Sequence, residues 1–307
     1  MICIDDAGSG SLIGGTGIGI LNTNNNKYYF DIIPLKYYQT ELFQKKAYQD
    51  FVIEIVKKGF QEVKARQDDI IEICQGYMFD KLRLWLTEQG YQWNNTKIEG
   101  LLQERVEDSF NQYVISLGLP KDFVKHARYA FGFHRLLKWV FADLENRKKL
   151  CKTQWKSWAK WGSIEKSIYQ NKLSYQDFCL KCGEKLIPSQ EVITIEYITT
   201  KPATVNLHPY CYKGELRIVP PMFIREFVAK IKKAKNGLDN CTSLDQELIL
   251  KKLSGQILIV NEQNKVLGYL KKNLSEKLVF WINKGYSWEC KLIKETASEA
   301  EVSLKLK

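Results

Sequence analysis

Hydrophobic and polar positions over residues 1–118 follow first a strand-like and then a helix-like spacing. Three short apolar runs, over 2–4, 15–21 and 28–35, are separated by turns rich in Gly and Asn. Runs of this length between such turns are typical of antiparallel strands. The opening of the chain is therefore predicted to form a three-strand meander.

Helical periodicity then alternates with two more apolar strands. The pattern predicts a helix over 40–65 with Thr40 as its N-cap, a strand over 70–74, a helix over 79–89, a strand over 91–98 and a helix over 101–117. This order predicts an α/β fold with a mixed sheet flanked by helices. Because the run 70–74 is almost continuously apolar, we expect a strand buried on both faces, in which the one acid, Glu72, is conspicuous.

A chain of 307 residues is long enough for further domains. In chain order we predict a first domain over 1–118, a basic helical segment over 119–173, a Cys/His module over 174–220, a helical linker over 221–250 with a polar stretch at 236–243, and a small all-β domain over 251–307.

Positive charge is in excess and unevenly placed. Lys and Arg number 46 against 35 Asp and Glu, which gives a formal net charge of +11. The excess lies mainly in 145–172 and 225–235, while the first twenty residues contain no Lys or Arg. A basic surface beside an acidic pocket suits a polyanionic substrate, although charge alone is also compatible with a merely solvated surface.

Within the basic segment, Lys152, Trp155, Lys156 and Trp158 interleave cations with indole rings. Lysine meets phosphates and tryptophan stacks on bases, so these four residues are predicted to bind nucleic acid. The alternative is a helix that buries its tryptophans and solvates its lysines.

The element order matches that of the ribonuclease H fold. Ile4-Asp5-Asp6-Ala7-Gly8-Ser9, followed by a Gly-rich second strand, resembles the opening of ribonuclease H and of Holliday-junction resolvases, and Ile71-Glu72-Ile73 resembles the fourth-strand acid of the resolvases. The resemblance spans about 115 residues. It implies a catalytic Asp at the end of the first strand, a second acid on the neighbouring fourth strand and a third on a later helix. These positions correspond to Asp5 or Asp6, Glu72, and Glu107 or Asp108.

Carboxylates that converge in this way provide hard oxygen ligands for Mg²⁺ or Mn²⁺. Two such ions about 4 Å apart activate a water and stabilise the leaving oxygen of a phosphodiester. Asp6 fits a D-x-G-S pattern and Asp5 directly follows the apolar run, so both are kept, with Asp5 slightly preferred. The alternative is that the two aspartates cap a turn and that the helix acids are surface charges.

Helical geometry distinguishes the two candidate helix acids. At about 100° per residue, Glu107 borders the apolar stripe of its helix, whereas Asp108 lies on the opposite side. Glu107 is therefore favoured as the ligand. The stripe consists of Leu102, Val106, Phe110, Tyr113, Val114 and Leu117.

A second resemblance is open within the same fold. Asp6-Ala7-Gly8-Ser9 followed by glycines also resembles the phosphate loop of the actin and sugar-kinase family. Members of that family carry two such domains, and nothing after residue 120 repeats the first one.

Two cysteine pairs predict a metal site. Cys179 and Cys182 form a CxxC knuckle followed by Gly183, and His208 and Cys211 supply an HxxC pair after 25 intervening residues. Four such ligands suit tetrahedral zinc, and four protein ligands make a closed, structural site. A redox CxxC pair or unligated core cysteines are the alternatives.

The last fifty residues alternate like strands around one short helix. Val260-Asn261, then Leu267-Gly268-Tyr269-Leu270, a short helix and Gly285 before a strand resemble a HIRAN domain. That family occurs in DNA-repair proteins and is thought to grip DNA or its ends. The alternative is a generic small β-barrel.

These features together predict a metal-dependent nuclease that cleaves DNA or a branched or hybrid nucleic acid by a two-metal mechanism. A non-catalytic nucleic-acid-binding protein on a degenerate ribonuclease H-like scaffold is the alternative, and a nucleotide-dependent regulator is a third hypothesis. Expected cofactors are Mg²⁺ or Mn²⁺ and a structural Zn²⁺. DNA is a more expected partner than RNA, and the sequence is compatible with a homodimer. Without a signal peptide or an apolar run that spans a bilayer, the chain is expected in the cytoplasm, away from membranes.

Overall fold

A computed structural model of the chain describes residues 1–127, 132–234, 245–296 and 299–307. The polar stretch predicted at 236–243 lies outside these residues. The described part divides into two units, of which the first comprises Met1–Ile164, Gln170–Ile195 and Val205–Lys213, and the second Glu165–Tyr169, Glu196–Thr204 and Gly214–Lys307.

A mixed sheet of five strands is the centre of the first unit. Strands β1 (Ile2–Ala7), β2 (Thr16–Asn22) and β3 (Lys27–Ile33) form an antiparallel meander. Strand β4 (Ile71–Cys74) runs parallel to β1, and β5 (Trp93–Thr96) runs parallel to β4. The order across the sheet is β3-β2-β1-β4-β5. The predicted meander and mixed sheet are confirmed, and β1 lies at the centre.

Helices cover both faces of this sheet. Isoleucines that alternate along β1, β2 and β4 form an apolar core with α1 (Ala47–Val63) and α2 (Asp80–Glu88) on one face. Helix α3 (Leu101–Ser116) packs on β1 and β2. It approaches β2 so closely that a Cβ at Gly19 would lie 2.8 Å from Val106. Gly19 of the second strand thus makes room for the helix that carries Glu107.

Two local predictions in this unit are wrong. The first helix begins at Ala47 rather than near residue 40, because the Thr40 hydroxyl donates to the carbonyl of Lys36 in the preceding turn. Strand β4 is not buried on both faces, since Ile71 and Ile73 are buried whereas Glu72 and Cys74 are only half-buried. The premise that Glu72 is a fully buried lone carboxylate therefore fails.

Short helices and small sheets follow α3. The helices are α4 (Val124–Ala127), α5 (Phe133–Phe141), α6 (Leu144–Arg147) and α7 (Lys156–Trp161). The strands are β6 (Ser167–Lys172), β7 (Asp177–Phe178), β8 (Lys185–Leu186), β9 (Glu191–Ile198) and β10 (Pro202–Leu207). Strands β7 and β8 pair as a hairpin, and β10, β9 and β6 form a three-stranded sheet in that order. Among the helices of the described residues, none has the length and apolarity needed to cross a membrane.

The second unit contains a closed barrel of six strands in the order β11-β14-β13-β12-β15-β16. The predicted helical linker is wrong here, because α8 spans only Met222–Arg225 and the following residues form a barrel strand. The barrel elements are β11 (Glu226–Lys233), β12 (Glu247–Leu253), β13 (Gln256–Val260), β14 (Val266–Tyr269), α9 (Lys272–Ile282), β15 (Trp288–Glu295) and β16 (Glu299–Leu306). The predicted all-β end of the chain is confirmed as a barrel that begins earlier than expected.

Candidate acidic site and Cys/His metal centre

Two aspartates and a cysteine meet at the ends of strands β1 and β4. Because Ile4 lies opposite Ile73 in the parallel register, the next residues, Asp5 and Cys74, are neighbours. The ligand atoms of Asp5, Asp6 and Cys74 all lie within 4.8 Å of one another. Asp5 is 6% exposed. The predicted pair of aspartates is thus placed where a cation can be held by several side chains.

Burial dominates the electrostatics of this cluster. It raises the pKa of Asp5 to about 6, helped by the carboxylates of Asp6 and Glu107 and opposed by a hydrogen bond from the Cys74 thiol. Burial also raises the pKa of Asp6, against the lowering effects of Ser9 and Lys152. The pKa of Cys74 rises to about 11 through burial and the two aspartates. A bound cation would relieve this crowding of acidic groups.

An open cleft of about 380 Å³ lies in front of the aspartates. Glu107 and Gln103 line it from helix α3, and Lys97 lines it from the loop after β5. Asp108 is exposed to solvent beside Tyr28. The structure therefore brings Glu107, rather than Asp108, to the cleft in front of the acidic cluster.

Glu72, like Asp108, does not line the cleft in front of the aspartates. It lies opposite Cys3 in the β1–β4 register, two residues before the level of Asp5. Its carboxylate accepts a hydrogen bond from the Cys3 thiol at 3.9 Å. It lines a neighbouring pocket with Leu21 and Leu102. Cys74 occupies the position beside Asp5 instead.

The four residues predicted to bind nucleic acid differ in how exposed they are. Lys152 is fully buried and Trp158 is 8% exposed, so the prediction that these two contact nucleic acid is wrong. Trp155 is half-buried with its ring 4.9 Å from the Lys152 ammonium, and Lys156 is exposed. The Lys152 side chain instead enters the first domain, where its Nζ donates a 2.6 Å hydrogen bond to the carbonyl of Gly8.

The second candidate centre gathers all four predicted Cys and His ligands. The ligand atoms of Cys179, Cys182, His208 and Cys211 lie within 4.8 Å of one another, and Cys182 Sγ is 3.4 Å from His208 Nδ1. The CxxC loop joins strands β7 and β8, while His208 directly follows β10. Three thiols and one imidazole are a donor set suited to tetrahedral zinc, so this group can bind zinc.

The backbone of the CxxC loop is already arranged around sulfur. Burial raises the pKa of Cys179, but backbone N–H groups of Cys182, His208 and Lys181 point at its sulfur and bring the pKa to about 7. Gly183 has a φ of +84°, which only glycine adopts without strain, and its N–H donates to the carbonyl of Cys179 at 2.8 Å. The loop therefore favours a thiolate, the form that metals bind.

Arg147, at the end of α6, attaches this loop to the helical segment. Its guanidinium donates to the carbonyl oxygens of Trp139 at 2.6 Å, Leu180 at 2.8 Å and Lys181 at 3.2 Å. Burial lowers the pKa of Arg147 to about 10, which still leaves it charged at neutral pH. Lys181 also forms an ion pair with Asp143 at 3.2 Å. The Cys/His loop and the segment that leads to Lys152 are thus held together.

Comparison with known proteins leaves the two centres without an assigned activity. No protein-family model matches the chain, and no curated protein sequence matches it either. Among solved structures, the HIRAN domain of human HLTF is similar to part of the chain, with 15% sequence identity over 27% of this chain and 75% of that domain, and a TM-score of 0.24. With a TM-score this low, the likeness does not bear on function.

Proposed function

We propose that the chain is a metal-dependent nuclease that hydrolyses phosphodiester bonds of DNA or of a branched or hybrid nucleic acid. The observation that carries this proposal is the convergence of Asp5, Asp6 and Glu107 on one open cleft. The strand order β3-β2-β1-β4-β5, with helices after β3, β4 and β5, supports a ribonuclease H-like first domain. The acids then lie at the end of the first strand and on a later helix, as the resemblance implies.

In this proposal Asp5, Asp6 and Glu107 hold divalent metal. Carboxylate oxygens suit both Mg²⁺ and Mn²⁺, and the thiol of Cys74 beside them favours the softer Mn²⁺. A bound ion supplies a water of lowered pKa and positive charge at the scissile phosphate. The exposed ammonium of Lys97, which lines the same cleft and pairs with Glu99, is proposed to meet a phosphate. We leave Glu72 out of the ligand set, because it lines another pocket.

The Cys/His centre is proposed to be a structural zinc module. Its four ligands come from one loop and from residues directly after β10, and four protein ligands leave no open position for a substrate. Zinc there would hold the CxxC hairpin, and through Arg147 also the helical segment.

The barrel is proposed to be a HIRAN-like domain that contacts DNA. The residues that carry this resemblance lie together in the fold. Asn261 forms the turn between β13 and β14, where its side chain accepts a hydrogen bond from the Lys265 N–H at 2.9 Å. Helix α9 and strand β15 follow in the order that the resemblance implies.

Cleavage assays with matched helix variants test the nuclease proposal. Labelled single-stranded, duplex, RNA–DNA hybrid and four-way-junction substrates are incubated with Mg²⁺ or Mn²⁺. We expect cleavage of at least one substrate, and Asp5→Asn or Glu107→Gln to lower its rate at least about a hundredfold. Asp108→Asn, one residue further along the same helix but exposed, is the control and leaves the rate unchanged.

Two outcomes contradict the proposal in different ways. If Glu72→Gln abolishes cleavage and Glu107→Gln does not, the ligand set is wrong. If the protein binds nucleic acid tightly and salt-sensitively but cleaves nothing in any metal, it is a non-catalytic binding protein. The observation that favours this second function is the thiol of Cys74 in the place beside Asp5 where an acid was expected.

A further inference from the structure

A series of side-chain hydrogen bonds crosses the small three-stranded sheet towards the Cys/His centre. Asn171 on β6 donates to Thr194 Oγ1 on β9 at 3.5 Å, and the Thr194 hydroxyl donates to Asn206 Oδ1 on β10 at 2.9 Å. The Asn206 amide donates in turn to Asp177 Oδ2 on β7 at 2.8 Å. Because its acceptor is a carboxylate, this last bond is charge-assisted. The series therefore connects the sheet to the hairpin that carries the CxxC loop.

The two central members of the series are buried. Thr194 is 1% exposed and Asn206 is 3% exposed, whereas Asp177 is half-buried. A buried amide is unfavourable unless both its oxygen and its nitrogen find hydrogen-bond partners. Thr194 provides the partner for the oxygen of Asn206, and Asp177 provides the partner for its nitrogen. The Asn206 side chain is therefore satisfied only while β7 lies against β10.

Asp177 and Asn206 occupy equivalent positions before the metal ligands. Asp177 lies two residues before Cys179, and Asn206 lies two residues before His208. Side chains two residues apart in an extended strand point to the same face, and His208 is still extended, with a φ of −59° and a ψ of 145°. The Asp177–Asn206 bond therefore also brings Cys179 and His208 together. In agreement with this, the backbone N–H of His208 points at the Cys179 sulfur.

Asp177 also holds the backbone at the entrance to the CxxC loop. Its Oδ1 accepts a hydrogen bond from the Phe178 N–H at 2.9 Å, while its Oδ2 accepts from Asn206. The next residue, Cys179, donates its own N–H to the carbonyl of Glu184 across the hairpin at 2.9 Å. A shift of the Asp177 carboxylate would therefore move the backbone that carries Cys179.

We propose that the Asp177–Asn206 hydrogen bond sets the register between the two halves of the Cys/His centre, so that both residues position zinc ligands without touching the metal. In the described residues β7 pairs with β8, and β10 belongs to a separate sheet with β9 and β6. A side-chain contact rather than a strand ladder therefore aligns the CxxC half with the HxxC half. The inference rests on the proposed zinc module for the metal, and it adds two positioning residues to the four ligands.

Cobalt titration tests the inference. Co²⁺ held tetrahedrally by three thiolates and an imidazole gives visible and near-ultraviolet absorption that carboxylate sites do not give, and Zn²⁺ displaces it. The full chain is reduced, stripped of metal and titrated with Co²⁺ alone, and Cys182→Ser defines the background. Asn206→Asp sets two carboxylates against each other and should weaken Co²⁺ binding about ten- to hundredfold.

A second substitution should restore binding. Asp177→Asn in the Asn206→Asp background exchanges the amide and the carboxylate and re-forms the hydrogen bond, while Thr194 can still donate to position 206. The affinity should return to within about threefold of the wild type. Asn146→Asp makes the same change at an exposed Asn–Asp hydrogen bond, 3.1 Å long, with Asp143, and should alter the affinity less than about twofold.

The restored variant distinguishes positioning from a general loss of structure. Hydrogen exchange of the β9 amides should be alike in the wild type and in both Asn206→Asp variants, since β9 is the central strand of its sheet. Wild-type affinity in Asn206→Asp would overturn the inference. A double variant that binds Co²⁺ no better than Asn206→Asp would also overturn it.

A measurement on the unaltered chain does not depend on the folding of any variant. A pair that sets the register should form before the metal binds. In the metal-free wild type, we expect NMR to show the Asn206 side-chain amide exchanging at least about tenfold more slowly than the exposed Asn146 amide. Equal exchange rates would overturn the inference. A wild type without cobalt–thiolate absorption would refute the zinc module instead, and slow exchange at Asn206 would still show that the pair aligns the two halves.

Discussion

Arg147 donates a 2.8 Å hydrogen bond to the carbonyl oxygen of Leu180, inside the CxxC loop of the Cys/His centre. Five residues later, Lys152 donates a 2.6 Å hydrogen bond to the carbonyl oxygen of Gly8, inside the loop that follows the catalytic-site candidates. Cys151, between them, donates through its thiol to the carbonyl of Arg147 at 3.3 Å. A short stretch of chain therefore connects the proposed zinc module to the acidic cluster.

Replacing Arg147 should weaken the Cys/His centre without touching a ligand. Arg147→Lys keeps the charge but lacks the planar fork that reaches three carbonyls at once. Since groups behind a metal site orient its ligands, we expect zinc affinity to fall about ten- to hundredfold. Competition with a chromogenic chelator measures the change. Arg135→Lys, at an exposed position, is the control, and an equal affinity in both variants would refute the role of Arg147.

Loss of zinc should destabilise the contact between the segment 147–152 and the loop that joins β1 to β2. In Cys182→Ser or after chelation, the CxxC hairpin loses its ligand set, and the segment 147–152 loses the support behind Arg147. We expect hydrogen exchange of the Gly14 and Lys152 amides to accelerate, because they donate to Leu150 and Leu12 across that segment. The amide of Ile20, in the centre of the sheet, is the internal control. Unchanged protection of Gly14 and Lys152 would show that the two centres are independent.

The strands β1 to β3 and the helix α3 could be predicted from the sequence because each produces a pattern among neighbouring residues. Alternation over β1 to β3 and helical periodicity in α3 arise from residues that are neighbours in the chain. The strand β11 was predicted as part of a helical linker, although Phe227, Ala229 and Ile231 alternate with exposed residues. It pairs with β14 and, over most of its length, with β16 at the other end of the domain. Pairing between segments so far apart in the chain produces no sequence pattern within the strand itself.

The acidic site was predictable only in part, for reasons of register and distance. That Asp5 lies near the end of a strand and that Glu107 borders an apolar stripe are properties of single elements. Whether Glu72 or Cys74 lies beside Asp5 depends on the register between β1 and β4, and a shift of two residues exchanges them. Lys152 resembles the exposed lysines around it, and only tertiary packing shows that it is buried.

The pKa of Asp5 predicts how the stability of the metal-free protein depends on pH. Burial raises that pKa to about 6, above the value of about 3.9 in an unfolded chain. Protonation therefore favours the folded state, and this contribution is fully present below about pH 4 and is lost as the pH rises through about 6. Relative to Asp5→Asn, we expect the wild type to lose about 3 kcal/mol of unfolding free energy over that range.

Urea denaturation of both proteins at a series of pH values measures this difference. Asp108→Asn, whose carboxylate is exposed, should give no comparable slope. Saturating Mn²⁺ should remove the loss at neutral pH, since the ion stabilises the ionised carboxylate. Parallel pH profiles of wild type and Asp5→Asn would contradict the burial argument.

Gly8 should tolerate no side chain, because α3 lies directly against it. Its φ is +77°, and a Cβ there would lie 2.0 Å from the ring of Phe110. We expect Gly8→Ala to lower the unfolding free energy by about 2 to 4 kcal/mol through strain and overlap. Gly118→Ala has a similar φ of +93° with nothing within 4 Å, so it isolates the strain and should cost about 1 kcal/mol. Equal losses in the two variants would show that Phe110 moves aside freely.

The exposed lysines of the basic segment should carry the nucleic-acid affinity that the buried pair cannot. Lys148, Lys149, Lys156 and Lys160 are all exposed, unlike Lys152 and Trp158. Replacing the four by Gln should weaken binding to single-stranded DNA and reduce the slope of log affinity against log salt by up to about 3, because each phosphate contact releases counterions.

A control variant with the same change in net charge distinguishes direct contact with nucleic acid from long-range electrostatic attraction. Lys27, Lys45, Lys57 and Lys58 are exposed on the first domain, and the last two lie on α1. Fluorescence anisotropy at several salt concentrations gives the affinity and the slope of each variant. If the segment binds the backbone directly, its variant loses both, and the control loses affinity only slightly with an unchanged slope. Equal losses would mean that the basic segment contributes charge without contact, and that nucleic acid lies elsewhere on the protein.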